Sequence, residues 1–265
     1  MFKNALIYIL TLSFSIALIS CSKYSKIQKN QDFNYKYEKA LDYYEHEDYF
    51  KALNLFDQVM PFFRGTKEAE QISYKYGYAY YNQEEYTMAS YYFDRFAKTF
   101  PRSDLAEECA FMAAYCKYKE SPIYKLDQTN TYEAINDLQL FINAYPYSER
   151  VTKGNELIDE LREKLQKKDF ETAKLYLKMR KYKAAVTSFD NLLREYPNTK
   201  FREDAMFYSI KAYYFYASRS VRKKRKERYE EASDVYNKFI TRYPDSKYNK
   251  DIEYMLKHAE KDLNK

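Results

Sequence analysis

Few residues in this sequence could carry out covalent chemistry or hold a metal ion. The 265 residues include three cysteines (Cys21, Cys109 and Cys116) and two histidines (His46 and His258), which are scattered along the chain. A zinc site needs several ligands in one place, so no metal and no other cofactor is expected. There is no glycine-rich phosphate loop, no serine elbow and no plausible Cys-His pairing. We therefore predict that the protein is not an enzyme.

Cys21 is the exception, because it ends a segment with the features of an export signal. Lys3 precedes an uncharged apolar stretch over residues 5–19, which is too short to cross a bilayer comfortably. The stretch ends in Leu18-Ile19-Ser20-Cys21, which resembles the bacterial lipoprotein box. That resemblance implies a cleaved signal peptide at 1–20 and acyl chains such as palmitate on Cys21. An ordinary signal peptide followed by an incidental cysteine is the alternative.

The residues after Cys21 indicate the membrane in which the protein is expected to be anchored. Residues 22–26 lack the aspartate that resembles an inner-membrane retention signal, and they lack an acidic run like those of surface-exported lipoproteins. We expect a protein anchored by lipid in the outer membrane and facing the periplasm, with residues 21–31 as a lipidated polar tether. This compartment excludes nucleic acid as a partner.

Composition favours helices throughout the remainder. Only three glycines and six prolines occur, too few for the turns of a many-stranded fold. Tryptophan is absent, whereas there are 33 tyrosines and 18 phenylalanines. Rings with hydroxyl tips that reach water suit a thin, two-layer packing of helices.

A repeated spacing identifies the helices. A small residue is followed four positions later by a large one and eight after that by proline, in Ala89-Phe93-Pro101, Ala134-Leu138-Pro146 and Ala185-Phe189-Pro197, with related copies at Ala52-Phe56 and Ala232-Tyr236-Pro244. A second small residue precedes three of these alanines by twelve positions, at Ala40, Gly77 and Ala173. This pattern is typical of tetratricopeptide repeats. We predict an all-α tetratricopeptide-repeat solenoid, an α/α superhelix of about five helix pairs.

The spacing also predicts how the chain is divided. Residues 32–147 form an N-terminal half with repeats 1–3, and residues 148–265 form a C-terminal half with repeats 4–5 and a final helix. The repeats are longer than the basic unit of about 34 residues, so they must contain insertions. We place these at 121–130, at the connection over 149–180, which could form one long helix, and at Arg219–Arg228.

The combination of motifs resembles a known family. A lipoprotein box, five helix pairs and the insertion ending Leu126-Asp127-Gln128-Thr129 are together similar to the BamD family of outer-membrane assembly lipoproteins. Also similar are the segments Ala173-Lys174-Leu175-Tyr176 and Tyr182-Lys183-Ala184-Ala185. The high tyrosine content and the basic stretch in repeat five depart from the commoner pattern of that family.

The resemblance implies a role and partners. Its members are non-catalytic subunits of the machine that folds and inserts β-barrel proteins. Their C-terminal half binds the periplasmic POTRA domains of the barrel subunit BamA, and their N-terminal repeats receive unfolded outer-membrane β-barrel precursors. The alternative is another periplasmic tetratricopeptide lipoprotein, a scaffold for cell-wall synthesis or division.

Three sets of residues are candidate contact sites. Tyr37, Tyr44, Tyr74 and Tyr81 could line an aromatic groove for precursors, although packing between helices is an equally ordinary role for tyrosine. Asp127 and Thr129 are expected to cap the following helix and could also hold a neighbouring subunit.

The densest charge cluster lies in the last repeat. It includes Arg222, Lys223 and Arg225, which could bind an acidic protein partner or anionic headgroups, or could form a solvated loop. Cys109 and Cys116 are seven residues apart, about 10.5 Å along one helix axis, which is too far for a disulfide between them. We predict that both are small residues of the core.

Overall fold

The computed structural model describes residues 23–263, in which every regular element is helical. The elements are α1 (described over residues 23–29), α2 (Phe33–Glu45), α3 (Tyr49–Val59), a 3-10 turn (Met60–Phe62), α4 (Lys67–Asn82), α5 (Tyr86–Thr99), α6 (Ala106–Glu120), α7 (Thr129–Ala144), α8 (Arg150–Lys178), α9 (Tyr182–Glu195), α10 (Arg202–Ser218), α11 (Arg222–Arg242) and α12 (Asn249–Leu263). The predicted all-α fold is confirmed. The long helix expected over 149–180 is α8.

The described chain forms two compact units. The first contains residues 23–121 and 130–157, and the second contains residues 122–129 and 158–263. In the first unit, α2 packs on α3, α4 on α5, and α5 on α6; in the second, α9 packs on α10 and α10 on α11. Short turns join neighbouring helices, which therefore run antiparallel as in tetratricopeptide repeats.

The small residues of the repeat lie where paired helices come together. Ala40, Ala52, Ala89 and Ala185 have no exposed surface. At Gly77 the approach is closer still, because a Cβ atom placed there would lie 2.7 Å from two ring carbons of Phe93. The side chains at these positions are small because the facing side chain occupies the space that a larger one would need.

A hydroxyl two residues after proline ties successive repeats together. Ser148 accepts a hydrogen bond from the amide of Arg150 (3.0 Å) and donates to Glu107 in the first turn of α6 (2.6 Å). Ser246 donates in the same way to Glu203 of α10 (2.7 Å). Ser103 donates to Glu70 of α4. The proline ends one helix, and the hydroxyl then links the start of the next repeat to the start of the preceding one.

The segment predicted as a polar tether is partly folded. Residues 23–29 are helical, and the ring of Tyr24 lies 5.6 Å from the ring of Tyr43. Lys51 places its ammonium 5.7 Å from the Tyr24 ring centroid. Tyr24 and Ile27, three positions apart on one helical face, pack on the core of the first helix pair. Residues 23–29 of the expected polar tether are therefore helical and packed, whereas the predicted signal at 1–20 and Cys21 lie outside the described residues.

Cys109 and Cys116 are core residues, as predicted. Neither has exposed surface or a disulfide partner. Burial raises the pKa of each thiol to about 12, so both remain protonated. Across residues 23–263, no helix combines the length and the apolar character needed to span a bilayer.

The contact between Gly77 and Phe93 can be tested with a matched pair of alanine substitutions. At Gly154, an added Cβ would lie 3.2 Å from the Cδ1 atom of Ile142, the movable end of a flexible side chain. Both substitutions gain the same helix propensity, so their difference isolates the crowding. We expect the free energy of unfolding of Gly77→Ala, measured by urea denaturation, to be about 1–3 kcal/mol lower than that of Gly154→Ala. Equal stabilities would show that Phe93 moves aside without cost.

Candidate interaction site

The four predicted groove tyrosines lie in two separate layers of the first unit. Tyr37 and Tyr44 pack on the core between α2 and α3, and Tyr74 and Tyr81 pack on the core beneath α5 and α6. All four are half-buried. Tyr44 lies edge-on to Tyr49 (5.5 Å), and Tyr81 lies edge-on to Tyr86 (5.7 Å). The four residues thus form two equivalent pairs within successive repeats.

The four tyrosines differ in whether their hydroxyl groups form hydrogen bonds within the fold. Tyr37 donates to Gln71 (2.5 Å) and Tyr74 donates to Glu108 (2.7 Å), so both hydroxyls join neighbouring repeats. The hydroxyls of Tyr44 and Tyr81 have no hydrogen-bond partner among residues 23–263. Burial raises the pKa of Tyr44 to about 12, which keeps its hydroxyl a donor. The described fold does not use these two hydroxyls.

The predicted insertion between α6 and α7 is an ordered loop. Asp127 accepts a hydrogen bond from the amide of Thr129 (2.9 Å), as expected of a residue that caps the helix, whereas Thr129 is itself the first residue of α7. The hydrogen bonds from Thr129 lower the pKa of Asp127. Gln128, which the sequence analysis did not single out, is buried and donates to the carbonyls of Ile123 and Leu126 (3.0 Å each). Asp127 and Gln128 therefore fix the loop from its own residues.

The residues of the basic run are of two kinds: some are bonded within the fold and others are exposed without partners. Most of it forms the first turns of α11 instead of a loop, because Arg, Lys and Glu favour helix. Arg225 donates to Asp262 of α12 (3.1 Å) and to the Ser220 carbonyl (3.0 Å). Arg222 and Lys223 are exposed and have no ion-pair partner within the described part of the chain. Arg225 is thus part of the fold, whereas the other two are free.

A basic groove in the second unit was not predicted. It has a volume of about 880 Å³ and lies between the insertion, the C-terminal half of α8 and α10. Its lining includes six basic residues and one acidic residue: Lys125, Lys168, Glu171, Lys174, Lys178, Arg180 and Lys211. Tyr124, Tyr182, Tyr208, Phe215, Thr172, Leu175 and Leu177 complete it. We refer to this site as the basic groove.

Most of the positive charge of the basic groove is not neutralised. Lys174 pairs with Glu171 (3.2 Å). Lys178, Arg180 and Lys211 have no acidic partner in the range that the structure covers. Cations held close together without counter-charges attract an anionic ligand.

A groove of similar size in the first unit differs from the basic groove in how its charges are paired. It has a volume of about 820 Å³ and a floor of alanines from α6, with α5 and α7 at its sides. Here the charges are paired internally: Lys117 lies 2.8 Å from Asp137 and 3.6 Å from Glu133, and Lys98 lies 2.7 Å from Asp94. The basic groove differs because its charges are not paired in this way.

The basic groove escaped sequence analysis because its residues come from three distant segments. The sequence did contain one indication of the basic groove, in the charge of the turn that joins the two helices of a pair. Glu47, Glu84 and Arg180 occupy the same turn position, each with a left-handed φ of 60–61°, and are followed by Asp48, Glu85 and Lys181. The turn is acidic in the first two repeats and basic in the fourth. Within residues 23–263, no group of His, Cys, Asp or Glu is arranged to hold a metal ion.

Known proteins similar to this chain include a lipoprotein family and a solved repeat structure. Residues 29–229 match the family model YfiO, described as an outer membrane lipoprotein. No curated protein matches the sequence. The crystal structure of a TPR-repeat protein from Bacteroides fragilis NCTC 9343 is similar over 87% of this chain and 99% of its own, with 14% sequence identity and a TM-score of 0.42.

The division of the basic run predicts different effects on stability. Arg225→Ala removes hydrogen bonds to Asp262 and Ser220, and both charged partners are about one-third exposed. We expect a loss of about 1–2 kcal/mol in the free energy of unfolding, measured by urea denaturation. Arg222→Ala should change it by less than about 0.5 kcal/mol. Equal losses for the two variants would contradict this division.

Proposed function

We propose, because this chain belongs to the YfiO family of outer membrane lipoproteins, that it is a non-catalytic subunit of the machine that inserts β-barrel proteins into that membrane. The observation that carries the proposal is the match over residues 29–229, which spans both compact units. Stacked helix pairs supply extended surfaces for binding other proteins, which suits an adaptor.

The proposed anchor is lipid on Cys21, placing the protein on the periplasmic face of the outer membrane. Each buried methylene of an acyl chain contributes about 0.8 kcal/mol, so several chains hold the protein permanently. The described residues begin at Lys23, which is helical.

The proposed contact with the barrel subunit lies in the C-terminal half, residues 148–265, and in the insertion. Arg222 and Lys223 are exposed and are not used by the fold, so their charge is available to the POTRA domains of a BamA-like protein. Asp127 lies on a fixed loop and Thr129 is the first residue of α7, which suits a contact that requires defined geometry. Arg225 contributes by holding α11 against α12.

Unfolded barrel precursors are proposed to bind the N-terminal half, residues 32–147. Precursor segments carry backbone amides and carbonyls without partners, and tyrosine hydroxyls can bond to them. Tyr44 and Tyr81 supply such hydroxyls at equivalent places in successive repeats, beside the rings of Tyr49 and Tyr86.

Isolation of the lipidated protein from its own outer membranes in mild detergent tests the partner. We expect a barrel protein with POTRA domains in stoichiometric amount. Arg222→Glu with Lys223→Glu should weaken that association about tenfold or more at moderate salt, and less at high salt. Lys67→Glu with Arg102→Glu, two exposed residues of the N-terminal half, makes the same change of charge and serves as the control. Recovery of cell-wall or division proteins without such a barrel would overturn the proposal in favour of the scaffold.

Precursor binding can be tested through the two free hydroxyls. Tyr44→Phe with Tyr81→Phe keeps both rings and removes no hydrogen bond of the fold, so the unfolding midpoint should not change. Affinity for a labelled precursor peptide should fall about three- to tenfold per hydroxyl. Tyr35→Phe with Tyr147→Phe is the control, since Tyr147 is 98% exposed. Unchanged affinity in the first variant would exclude a role for these hydroxyls.

A further inference from the structure

We propose that the basic groove of the second unit binds an acidic peptide segment, an extended stretch of a partner protein in which carboxylates alternate with apolar side chains. This inference rests on the geometry of the groove and is independent of the function proposed above.

Charge is the first argument. Lys178 and Lys211 project from α8 and α10, and Arg180 follows the end of α8, so three unpaired cations come from separate parts of one concave surface. Glu171 is engaged by Lys174 (3.2 Å), which leaves it little capacity to neutralise the others. A carboxylate entering the groove would meet several donors and no free acidic group of the lining.

The walls indicate a peptide instead of a small anion. Tyr182 and Phe215 stack with their centroids 5.4 Å apart, and Lys174 lies 5.5 Å from the ring centroid of Tyr208. Leu175 is 53% exposed at the same surface. Apolar and aromatic surface between cations fits a chain whose apolar and acidic side chains alternate, and it offers little to inorganic phosphate.

A second hollow lies beside the groove. It shares Arg180 and Tyr182 with the groove, has a volume of about 880 Å³ and is also lined by Lys181, Lys183, Arg219 and Arg228, with no acidic residue. Two adjacent hollows offer an extended chain several successive places for carboxylates. The concave shape favours a peptide over a membrane, because a flat layer of headgroups would contact the rims more readily than the floor.

The fold does not require a particular charge at the turn that joins the two helices of a pair. Glu47 and Glu84 adopt the backbone conformation of Arg180, with φ of 61° against 60°. Since the turn forms with either charge, the reversal from acidic in the first unit to basic in the second is not required for folding. It does add a cation at the point where the two hollows meet.

Fluorescence anisotropy tests the proposal with the full lipidated chain in nanodiscs of neutral phosphatidylcholine. The probe is a labelled peptide of about 12 residues in which glutamate alternates with leucine and tyrosine, compared with the same peptide carrying glutamine for glutamate. We expect the acidic peptide to bind at least about tenfold more tightly at about 50 mM salt, with the difference shrinking at about 500 mM.

Charge reversal then locates the site. Lys178→Glu with Lys211→Glu should weaken binding of the acidic peptide about tenfold or more, whereas the α12 control Lys250→Glu with Lys257→Glu should change it by less than about twofold. Lys178→Gln with Lys211→Gln gives a milder loss and guards against misfolding, which circular dichroism would reveal. Equal binding of the two peptides, or equal effects of groove and control variants, would overturn the proposal.

Nanodiscs that contain anionic phosphatidylglycerol distinguish a lipid ligand. If peptide affinity there falls about tenfold relative to neutral discs in the unaltered protein, and not in the groove variant, the groove binds headgroups and the proposal is wrong. Unchanged affinity supports the peptide. None of these measurements requires the barrel partner, so their failure leaves the proposed function standing.

Discussion

The close approach of paired helices, permitted by one small residue on each, is the constraint on which the rest of the structure depends. Gly77 lies so near Phe93 that a methyl group would meet the ring at 2.7 Å, and Ala40, Ala52 and Ala89 are fully buried at similar crossings. Helices held this close leave little room for a deep interior, so large side chains must fill the spaces between layers. Tyrosine suits such positions because its ring packs while its hydroxyl reaches the next repeat, as that of Tyr74 does at Glu108.

Many charged side chains also serve to join neighbouring repeats. In the first unit, carboxylates are largely committed to joining repeats: Glu107 accepts from Ser148 and Arg150, and Glu108 accepts from Tyr74 and Tyr78. In the second unit, Glu203 and Asp262 are committed in the same way. Lys178, Arg180 and Lys211 of the basic groove have no such duty. Charged groups that the fold does not employ can bind other molecules, and in the basic groove three of them share one concave surface.

The sequence predicted the helices well because their signal is local and repeated. The spacing also left room for one long helix over 149–180, and α8 runs from Arg150 to Lys178. It missed α1 because only Tyr24 and Ile27 mark its packed face in a polar stretch. It missed the basic groove and the division of tyrosine hydroxyls because both depend on register between segments more than thirty residues apart. Asp127 could be assigned since its partner, Thr129, is two residues away.

Helix α1 has a further consequence for how far the protein can reach. A flexible tether over residues 21–31 would allow an end-to-end distance of about 18 Å. Since the chain is already helical and packed at residues 23–29, the acyl chains proposed on Cys21 would be linked to the folded part by at most about 7 Å of contour. An anchor so short would cost the first unit most of its freedom to tumble. The entropy of orientation would then be lost once, on insertion into the membrane, and would not be lost again when a partner in the same membrane is met.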